Sequence, residues 1–387
     1  MGTVSTPLVL STLRRRPDVE DPTLLAHDAT DELLVERALA DVAARGLSGS
    51  DILVVGERHG AITLSLLAVG LRGIRVVQDR LAHERALDAN ALDAGLPQDG
   101  YVHARAGADA AIGARLILWQ LPRSVAGVRA ALPWLAQAAP DAPRVAGGRV
   151  KHLSRGMNAP LEAGFGAVEP QLAQRKSRLL EVRRDPSRTA RAASITESKS
   201  AIGGQRLALA GLGEAFGQAA LDPGTAFLLK TLHELGYAPP HADATVVDLG
   251  CGNGTIAVWA ALSWPEAGIE ATDDSADAVA SAIASTMASG VAARVDVVRA
   301  DAGDHLADGS ADVVILNPPF HQGGTVHTGI ATKLMRAAAR QLRPGGTLLC
   351  VWNSHLRYRP RLERLIGPTE QLARDKTFTV TASTRRG

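Results

Sequence analysis

The chain has 387 residues, 46% of them hydrophobic and 21% charged, with a formal net charge of +2. That composition excludes a disordered chain, and the length exceeds one ordinary domain and points to two. Near-neutrality excludes a global positive field as the means of holding nucleic acid, so any such contact must rest on local basic clusters.

Taken in chain order, a short apolar run at 51–55 turns at Gly56-Glu57-Arg58-His59-Gly60, and strands follow at 74–77 and 115–119, the latter ending at Gln120-Leu121-Pro122. Residues 183–199 are polar, rich in Arg and Ser and without apolar periodicity, which predicts a linker. We place it at 185–203, between a first domain at 1–184 and a second at 204–387. The second half offers a β-branched strand at 244–249, a glycine turn at 250–254, an apolar helix from Thr255 and a strand ending at Thr272-Asp273. A helix at 276–289 and strands at 294–299 and 311–316 follow, the last running into Asn317-Pro318-Pro319-Phe320. A helix at 328–342, a turn at Pro344-Gly345-Gly346, a strand at 347–352 and a final strand at 377–381 complete it. Strands alternating with helices of this length predict doubly wound, mostly parallel α/β sheets.

The halves share this order. Gly60 to Gln120 spans 60 residues and Gly254 to Asn317 spans 63, and His152-Leu153 and Lys176-Ser177-Arg178-Leu179 echo His355-Leu356 and Lys376-Thr377-Phe378. One fold written twice is the expectation. No run of about 18 uncharged apolar residues occurs, no basic segment followed by an apolar one opens the sequence, and Cys251 and Cys350 have no partner at metal-ligand spacing. We therefore expect a cytoplasmic protein without membrane attachment, metal or disulfide.

Asp248-Leu249-Gly250-Cys251-Gly252-Asn253-Gly254 sets an acid before glycines at alternate positions, where a strand becomes a helix. Glycine allows the tight turn and lets a ligand lie directly on the backbone. A dinucleotide fold asks for a third glycine at position 255, where this chain has Thr255. Asp273, with Asp274 beside it, ends the next strand, where a carboxylate accepts hydrogen bonds from both hydroxyls of a ribose. The glycine spacing resembles that of class I S-adenosylmethionine-dependent methyltransferases. The resemblance implies S-adenosyl-L-methionine as cofactor, lying on Gly250, Cys251, Gly252, Asn253 and Gly254. It also implies that Asp248 helps to hold the methionine portion and that Asp301 accepts from the adenine amino group.

Asn317-Pro318-Pro319-Phe320 follows a buried strand and so lies at the carboxyl edge of the sheet, beside the cofactor crevice. An exocyclic amino nitrogen is a poor nucleophile while its lone pair is delocalised into the ring, and it must be gripped by acceptors. The Asn317 side-chain oxygen and the Pro318 carbonyl can each accept one N–H and hold the nitrogen in line with the methyl group. Prolines stiffen the loop, and Phe320 can stack on a flipped base. The methyl donor is a cation and its leaving group is neutral, so positioning supplies most of the catalysis.

This loop with His321-Gln322, Leu221-Asp222-Pro223-Gly224-Thr225 and the late Lys376-Thr377-Phe378 resembles the bacterial ribosomal RNA guanine-N2 methyltransferases. Their fold is duplicated and its N-terminal copy degenerate, so the resemblance implies two tandem Rossmann-like class I methyltransferase domains. It implies methylation of a guanine N2 by base flipping, with ribosomal RNA or an assembling ribosomal subunit as partner. His321-Gln322 favours the large-subunit enzyme over its small-subunit relative, and His321 either contacts the flipped nucleotide or caps the loop. Two fused copies of one fold suit a monomer. Related chemistries that the same loop permits are methylation of a protein glutamine amide and of adenine N6; a non-catalytic RNA-binding protein is the alternative from another class.

The first half departs from the pattern where chemistry would reside. Val54 replaces the acid, Arg58 stands at the second glycine, Gln78 replaces the ribose acid, and Gln120-Leu121-Pro122 replaces Asn-Pro-Pro. We expect this copy to bind no S-adenosylmethionine and to serve in RNA docking or structural support. Arg175, Lys176, Arg178, Arg183, Arg184 and Arg188, with Arg357, Arg359, Arg361 and Arg364, are the clusters assigned to RNA phosphate, diluted by Glu181, Asp185 and Glu363.

Overall fold

The computed structural model describes residues 6–138, 142–153, 155–185, 195–213, 215, 218–319 and 325–387. It divides into two compact units, Met1–Ser194 and Ile195–Gly387. The first opens with helices α1 (Thr6–Thr12) and α2 (Ala29–Arg45). Then come β1 (Ile52–Val55), α3 (Ala61–Ala68), β2 (Ile74–Val77), α4 (Leu81–Asp93), β3 (Tyr101–His103), α5 (Ala108–Ala111) and β4 (Leu116–Gln120). α6 (Val125–Ala138), β5 (Arg144–Arg149), α7 (Arg155–Phe165), β6 (Gly166–Pro170) and β7 (Ser177–Arg184) complete it. The second unit starts with β8 (Thr196–Ile202) and β9 (Gln205–Gly211), then α8 (Pro223–Glu234), β10 (Thr245–Leu249), α9 (Thr255–Ser263), β11 (Gly268–Asp273), α10 (Ala276–Ala288) and β12 (Val295–Arg299). β13 (Ala311–Leu316), α11 (Thr325–Gln341), β14 (Leu342–Asn353), α12 (Arg359–Leu365), β15 (Thr369–Arg374) and β16 (Phe378–Thr384) follow.

Each unit holds a seven-stranded sheet, and the two orders are the same: β3-β2-β1-β4-β5-β7-β6 and β12-β11-β10-β13-β14-β16-β15. In both, the penultimate strand of the order runs antiparallel to its neighbours and the other pairings are parallel. The duplicated α/β fold read from the sequence is therefore present in both halves. Parallel strands are covered on both faces, which is why β13 (ADVVIL) is apolar but for Asp312 and is buried at every residue. α9 is hydrophobic all round for the same reason, with Trp259 2% exposed in its core.

The strand order reverses between β10 and β13, and the crevice outside their carboxyl ends is where ligands bind in such sheets. Asp248 pairs with Ile315 across this junction. Gly250 and Asn317 each stand two residues past that rung, so the glycine loop and the Asn-Pro-Pro loop emerge side by side.

Several elements lie outside the sequence expectations. Residues 196–202, assigned to the linker, form β8, which pairs with β9. Gly203 and Gly204, at φ +53° and +75°, make the two-residue turn that this pairing requires. β8 is polar along its length (TESKSAI), so no apolar alternation announced it. The free edge of β9 is closed by helix α10: Ala208, Ala210 and Leu212 donate their N–H groups to Ser289, Ser285 and Ser281 at 3.0, 2.8 and 2.9 Å. Two residues of strand and four of helix advance by about 6–7 Å, so serines at every fourth helical position meet every second strand N–H. β3, β5, β6, β7, β15 and α12 were likewise not foreseen; β5 (RVAGGR) holds two glycines, which carry little strand propensity. β14 begins at Leu342, ahead of the Pro344-Gly345-Gly346 turn, and its register against β13 shifts between Ala311 and Val313.

Candidate active site at the carboxyl edge of the second sheet

The backbone leaves β10 through Gly250, Gly252 and Gly254 at φ +77°, +54° and +76°, left-handed conformations that glycine adopts without steric cost. A Cβ on Gly250 would meet nothing nearer than Leu334 Cδ1 at 3.8 Å, so space lies open above the turn. A Cβ on Gly254 would sit 2.9 Å from Ala282 Cα, so that glycine also seats α9 against α10. Thr272 steadies the entry, its carbonyl accepting the Gly250 and Cys251 N–H groups at 2.8 and 3.0 Å.

Asp248 is 2% exposed. Its Oδ2 accepts the Ala257 N–H at 3.0 Å, and its Oδ1 has no partner. Burial first, and then the nearby Asp273 carboxylate, push its pKa up to about 7 against the pull of that N–H. Asp273 accepts from Gly252 N through Oδ2 and from Ser275 N through Oδ1, both at 3.0 Å. These two bonds orient the carboxylate against the glycine loop and the start of α10. Asp274 beside it is half-buried. Asp301, 9% exposed, is straddled by the Lys333 ammonium at 2.6 Å from both oxygens. Lys333 was missed in the sequence, because it comes from α11, 32 residues downstream, and only the tertiary fold brings it to Asp301.

Two members of the candidate set have structural duties. Asn253 donates to the Gln218 and Ala220 carbonyls at 2.9 and 3.2 Å and accepts from the Thr255 amide and hydroxyl at 3.2 and 2.6 Å. With its amide fully engaged, it braces the loop and offers a ligand its backbone. Cys251 is a buried free thiol whose pKa burial raises, and Cys350 is likewise buried and free.

Asn317 is 9% exposed. Its Nδ2 donates to Asp222 Oδ2 and to Thr225 Oγ1, both at 2.8 Å, and its Oδ1 is buried without a partner. Asp222 is the N-cap of α8, also accepting the Thr225 N–H at 2.8 Å, and Pro223 occupies the first helical turn, which it suits. The helix start thus holds both amide protons of Asn317, which decides which end of the amide remains as an unsatisfied acceptor. Pro318 is buried and Pro319 half-buried, while Phe320 and His321 lie outside the described residues.

Together these groups fit a ligand bearing an ammonium, ribose hydroxyls and an amino-bearing base. The unpartnered Asp248 Oδ1 answers a cation, Asp273 offers a carboxylate at the end of β11, and the open glycine loop accepts a ligand against its backbone. When bound, S-adenosylmethionine would supply an electrophilic methyl group there.

The counterpart crevice of the first unit is closed. Val54 stands where Asp248 does, and the carboxylate has moved to Glu57, fully buried, which accepts the Ile62 and Thr63 N–H groups at 3.0 and 3.2 Å and the Thr63 hydroxyl. Gln78 donates back to the Glu57 carbonyl at 3.0 Å. A Cβ on Gly56 would lie 2.6 Å from the Gln120 carbonyl oxygen, where its counterpart Gly250 has open space. The obstruction expected from Arg58 is thus made chiefly by Glu57 and by the two loops closing on each other.

The basic clusters fare unevenly. Arg175 is paired with Glu32 at 2.6 Å and Glu36 at 2.7 Å, Arg183 lies 3.8 Å from Glu169 and 3.7 Å from Glu181, and Arg359 pairs with Glu363 at 2.9 Å. Arg361 sits over the Tyr358 ring at 5.4 Å. These partners take up the charge assigned to phosphate at those positions. Arg188 and the side chain of Arg184 lie outside the described residues.

Among the described residues no helix is long and apolar enough to cross a membrane. Residues 1–186 match the RLMG N-terminal domain and residues 206–382 the methyltransferase small domain. The chain is 33% identical, over 98% of its length and 99% of the relative's, to the ribosomal RNA large subunit methyltransferase G of Pseudomonas savastanoi pv. phaseolicola. It is 32% identical over the same shares to that of Pseudomonas putida strain W619. Among solved structures, the 16S rRNA N2 methyltransferase of T. thermophilus in complex with AdoMet and guanosine superposes with a TM-score of 0.73 at 20% identity, covering 99% of this chain and 100% of that one, and so shares the fold. With the glycine loop, the Asn-Pro-Pro loop and the twofold-repeated sheet in place, the chain belongs to the ribosomal RNA large subunit methyltransferase G family and is an S-adenosylmethionine-dependent methyltransferase.

Proposed function

We propose that the second unit transfers the methyl group of S-adenosylmethionine to the exocyclic N2 of a guanine in large-subunit ribosomal RNA, acting as a cytoplasmic monomer, and that the first unit binds no cofactor. The observation that carries this reading is the Asn317 amide: both its protons are held by Asp222 and Thr225, and its buried oxygen is left as an acceptor beside the glycine loop. An acceptor fixed in that way grips an amino N–H and orients the nitrogen lone pair toward the methyl group, a contribution of position that needs no strong base. Asp248, Asp273 and Asp301 are the acids we assign to the cofactor, Phe320 and His321 the residues assigned to the flipped base.

The test is transfer of labelled methyl from S-adenosylmethionine to each purified ribosomal RNA by the wild type and Asn317→Ala, followed by nucleoside identification. N2-methylguanosine in large-subunit RNA, absent with the variant, is the expected result. Label in methyladenosine, in protein, or in small-subunit RNA alone would refute the substrate.

A further inference from the structure

At the carboxyl edge of the second sheet, beside Asn317, stands a polar side chain that the chemistry so far does not use, Asn353 at the end of β14. Strand alternation puts the two asparagines on one face. Val313 and Ile315 of β13 and Leu349 and Val351 of β14 all pack into the core shared with Leu228 and Leu229 of α8, and Asn317 and Asn353 are the next members of each series. Leu316 pairs with Cys350, so Asn353 lies on the neighbouring strand two residues further along than Asn317, an advance of about 6–7 Å. Phe378, its partner on β16, stacks with Phe227 of α8 at 6.4 Å and 30° and adds an aromatic pair to this face. Asn353 is half-buried. Its Oδ1 accepts the Nδ1–H of His355 at 2.8 Å, and among the described residues its Nδ2 has no hydrogen-bond partner. His355 is brought back to it by the single helical turn Ser354–Leu356, which Ser354 anchors through the Thr377 carbonyl at 2.7 Å and the Thr379 hydroxyl at 2.8 Å. The amide is thus held as that of Asn317 is, but in the opposite sense: Asn317 shows an acceptor to the crevice edge and Asn353 shows N–H donors. In the first unit, which has no Asn-Pro-Pro, the same rung carries Arg149, so the asparagine accompanies the intact motif.

We propose that Asn353 is the residue that selects guanine, donating an Nδ2 N–H to O6 of the base whose N2 is gripped at Asn317, with His355 as the positioning residue that fixes the amide. The proposal rests on the reading of guanine N2 as the methyl acceptor. In guanine the exocyclic N2 and O6 flank N1 on one edge of the six-membered ring, the first a donor and the second an acceptor. An acceptor at Asn317 and a donor at Asn353, on adjacent strands and on one face, match that pair in order. Adenine gripped by its N6 places a C2–H where O6 would stand, and the Asn353 N–H is then covered by the base and left unsatisfied, which selects against it.

The experiment uses the full chain and large-subunit ribosomal RNA assembled by ligation to carry, at the nucleotide that the wild type labels, either guanine or 2-aminopurine, which keeps the 2-amino group and lacks O6. Single-turnover methyl transfer is measured on both RNAs for the wild type, Asn353→Ala, Asn353→Asp and His355→Ala, with the thermal midpoint and S-adenosylmethionine affinity as checks of folding. The wild type should favour guanine roughly tenfold or more. Asn353→Ala should abolish that preference, Asn353→Asp, which keeps the shape and removes the donor, should do the same, and His355→Ala should retain part of it. A merely structural role would slow transfer to both RNAs alike and leave the preference standing in the Asn353 variants, which overturns the proposal. So does a wild type that methylates both RNAs at one rate, a result that needs no variant. N2-methylguanosine formed without that preference strikes this proposal alone, whereas no N2-methylguanosine from the wild type strikes the functional reading and the proposal together.

Discussion

Thr225→Val tests whether the start of α8 positions the Asn317 amide. Thr225 is 4% exposed, and valine conserves its shape while removing the hydroxyl that accepts one Asn317 proton at 2.8 Å. Asp222 still holds the other bond, so one N–H is left buried and unsatisfied, at a cost of about 1–3 kcal/mol. The amide relieves that cost by rotating, which carries Oδ1 away from the crevice. If the whole of it appears in the transition state, the rate of methyl transfer falls roughly 5- to 150-fold. Single-turnover transfer of labelled methyl measures this, with calorimetry expected to give an unaltered affinity for S-adenosylmethionine, since the groups we assign to the cofactor, Asp248, Asp273 and the glycine loop, are untouched. Thr225→Ser retains the acceptor and should recover most of the rate. A folded Thr225→Val protein with a single-turnover rate within twofold of wild type would refute the assignment of Thr225 as a positioning residue.

Asp248 binds its proton at about 7 when folded and near 3.9 when unfolded. Between those values the native chain carries a proton that the unfolded chain lacks, so this group makes stability fall as pH rises from about 4 to 7, with no further loss above. Asp31, also pushed to about 7 by burial, acts in the same direction in the first unit. Denaturant unfolding of Asp248→Asn should therefore show a shallower slope over that window, and calorimetry in buffers of different ionisation enthalpy should detect proton release when S-adenosylmethionine binds the wild type below pH 7. Lys333→Ala leaves Asp301 without its cation; because the ammonium is 32% exposed, the expected loss is roughly 1–2 kcal/mol, less than for a fully buried pair, measured by urea unfolding. Gly254→Ala imposes a left-handed alanine and a contact 2.9 Å from Ala282 Cα; a destabilisation of about 2–4 kcal/mol and loss of S-adenosylmethionine binding should be seen by scanning calorimetry and ligand titration.

Much of this molecule was legible before folding because its signals are local. A parallel strand covered on both faces is mostly apolar and β-branched, so β10 and β13 are legible to within a residue of their ends, each broken by one aspartate. A backbone that must turn left-handed three times in five residues has to be glycine-rich there, so the loop after β10 stood out. The two-residue Gly203-Gly204 turn is a hairpin signal, but the strand before it is polar and carries no alternation to support it.

By itself the sequence determined the duplicated α/β architecture, the loss of the motif in one copy, and the identity of the loops at the crevice, since each depends on residues adjacent in the chain or on spacing along it. Only the tertiary structure decided what those side chains do. It placed Asp222 and Thr225 on Asn317 across more than 90 residues of chain, and Lys333 on Asp301. It turned Asn253 inward as a brace, closed the degenerate crevice with Glu57, and paired Arg175 with Glu32 and Glu36 of α2. Those outcomes depend on which hydrogen-bond and charge partners the sheet order brings within reach, and a linear pattern of residue types does not contain that distance.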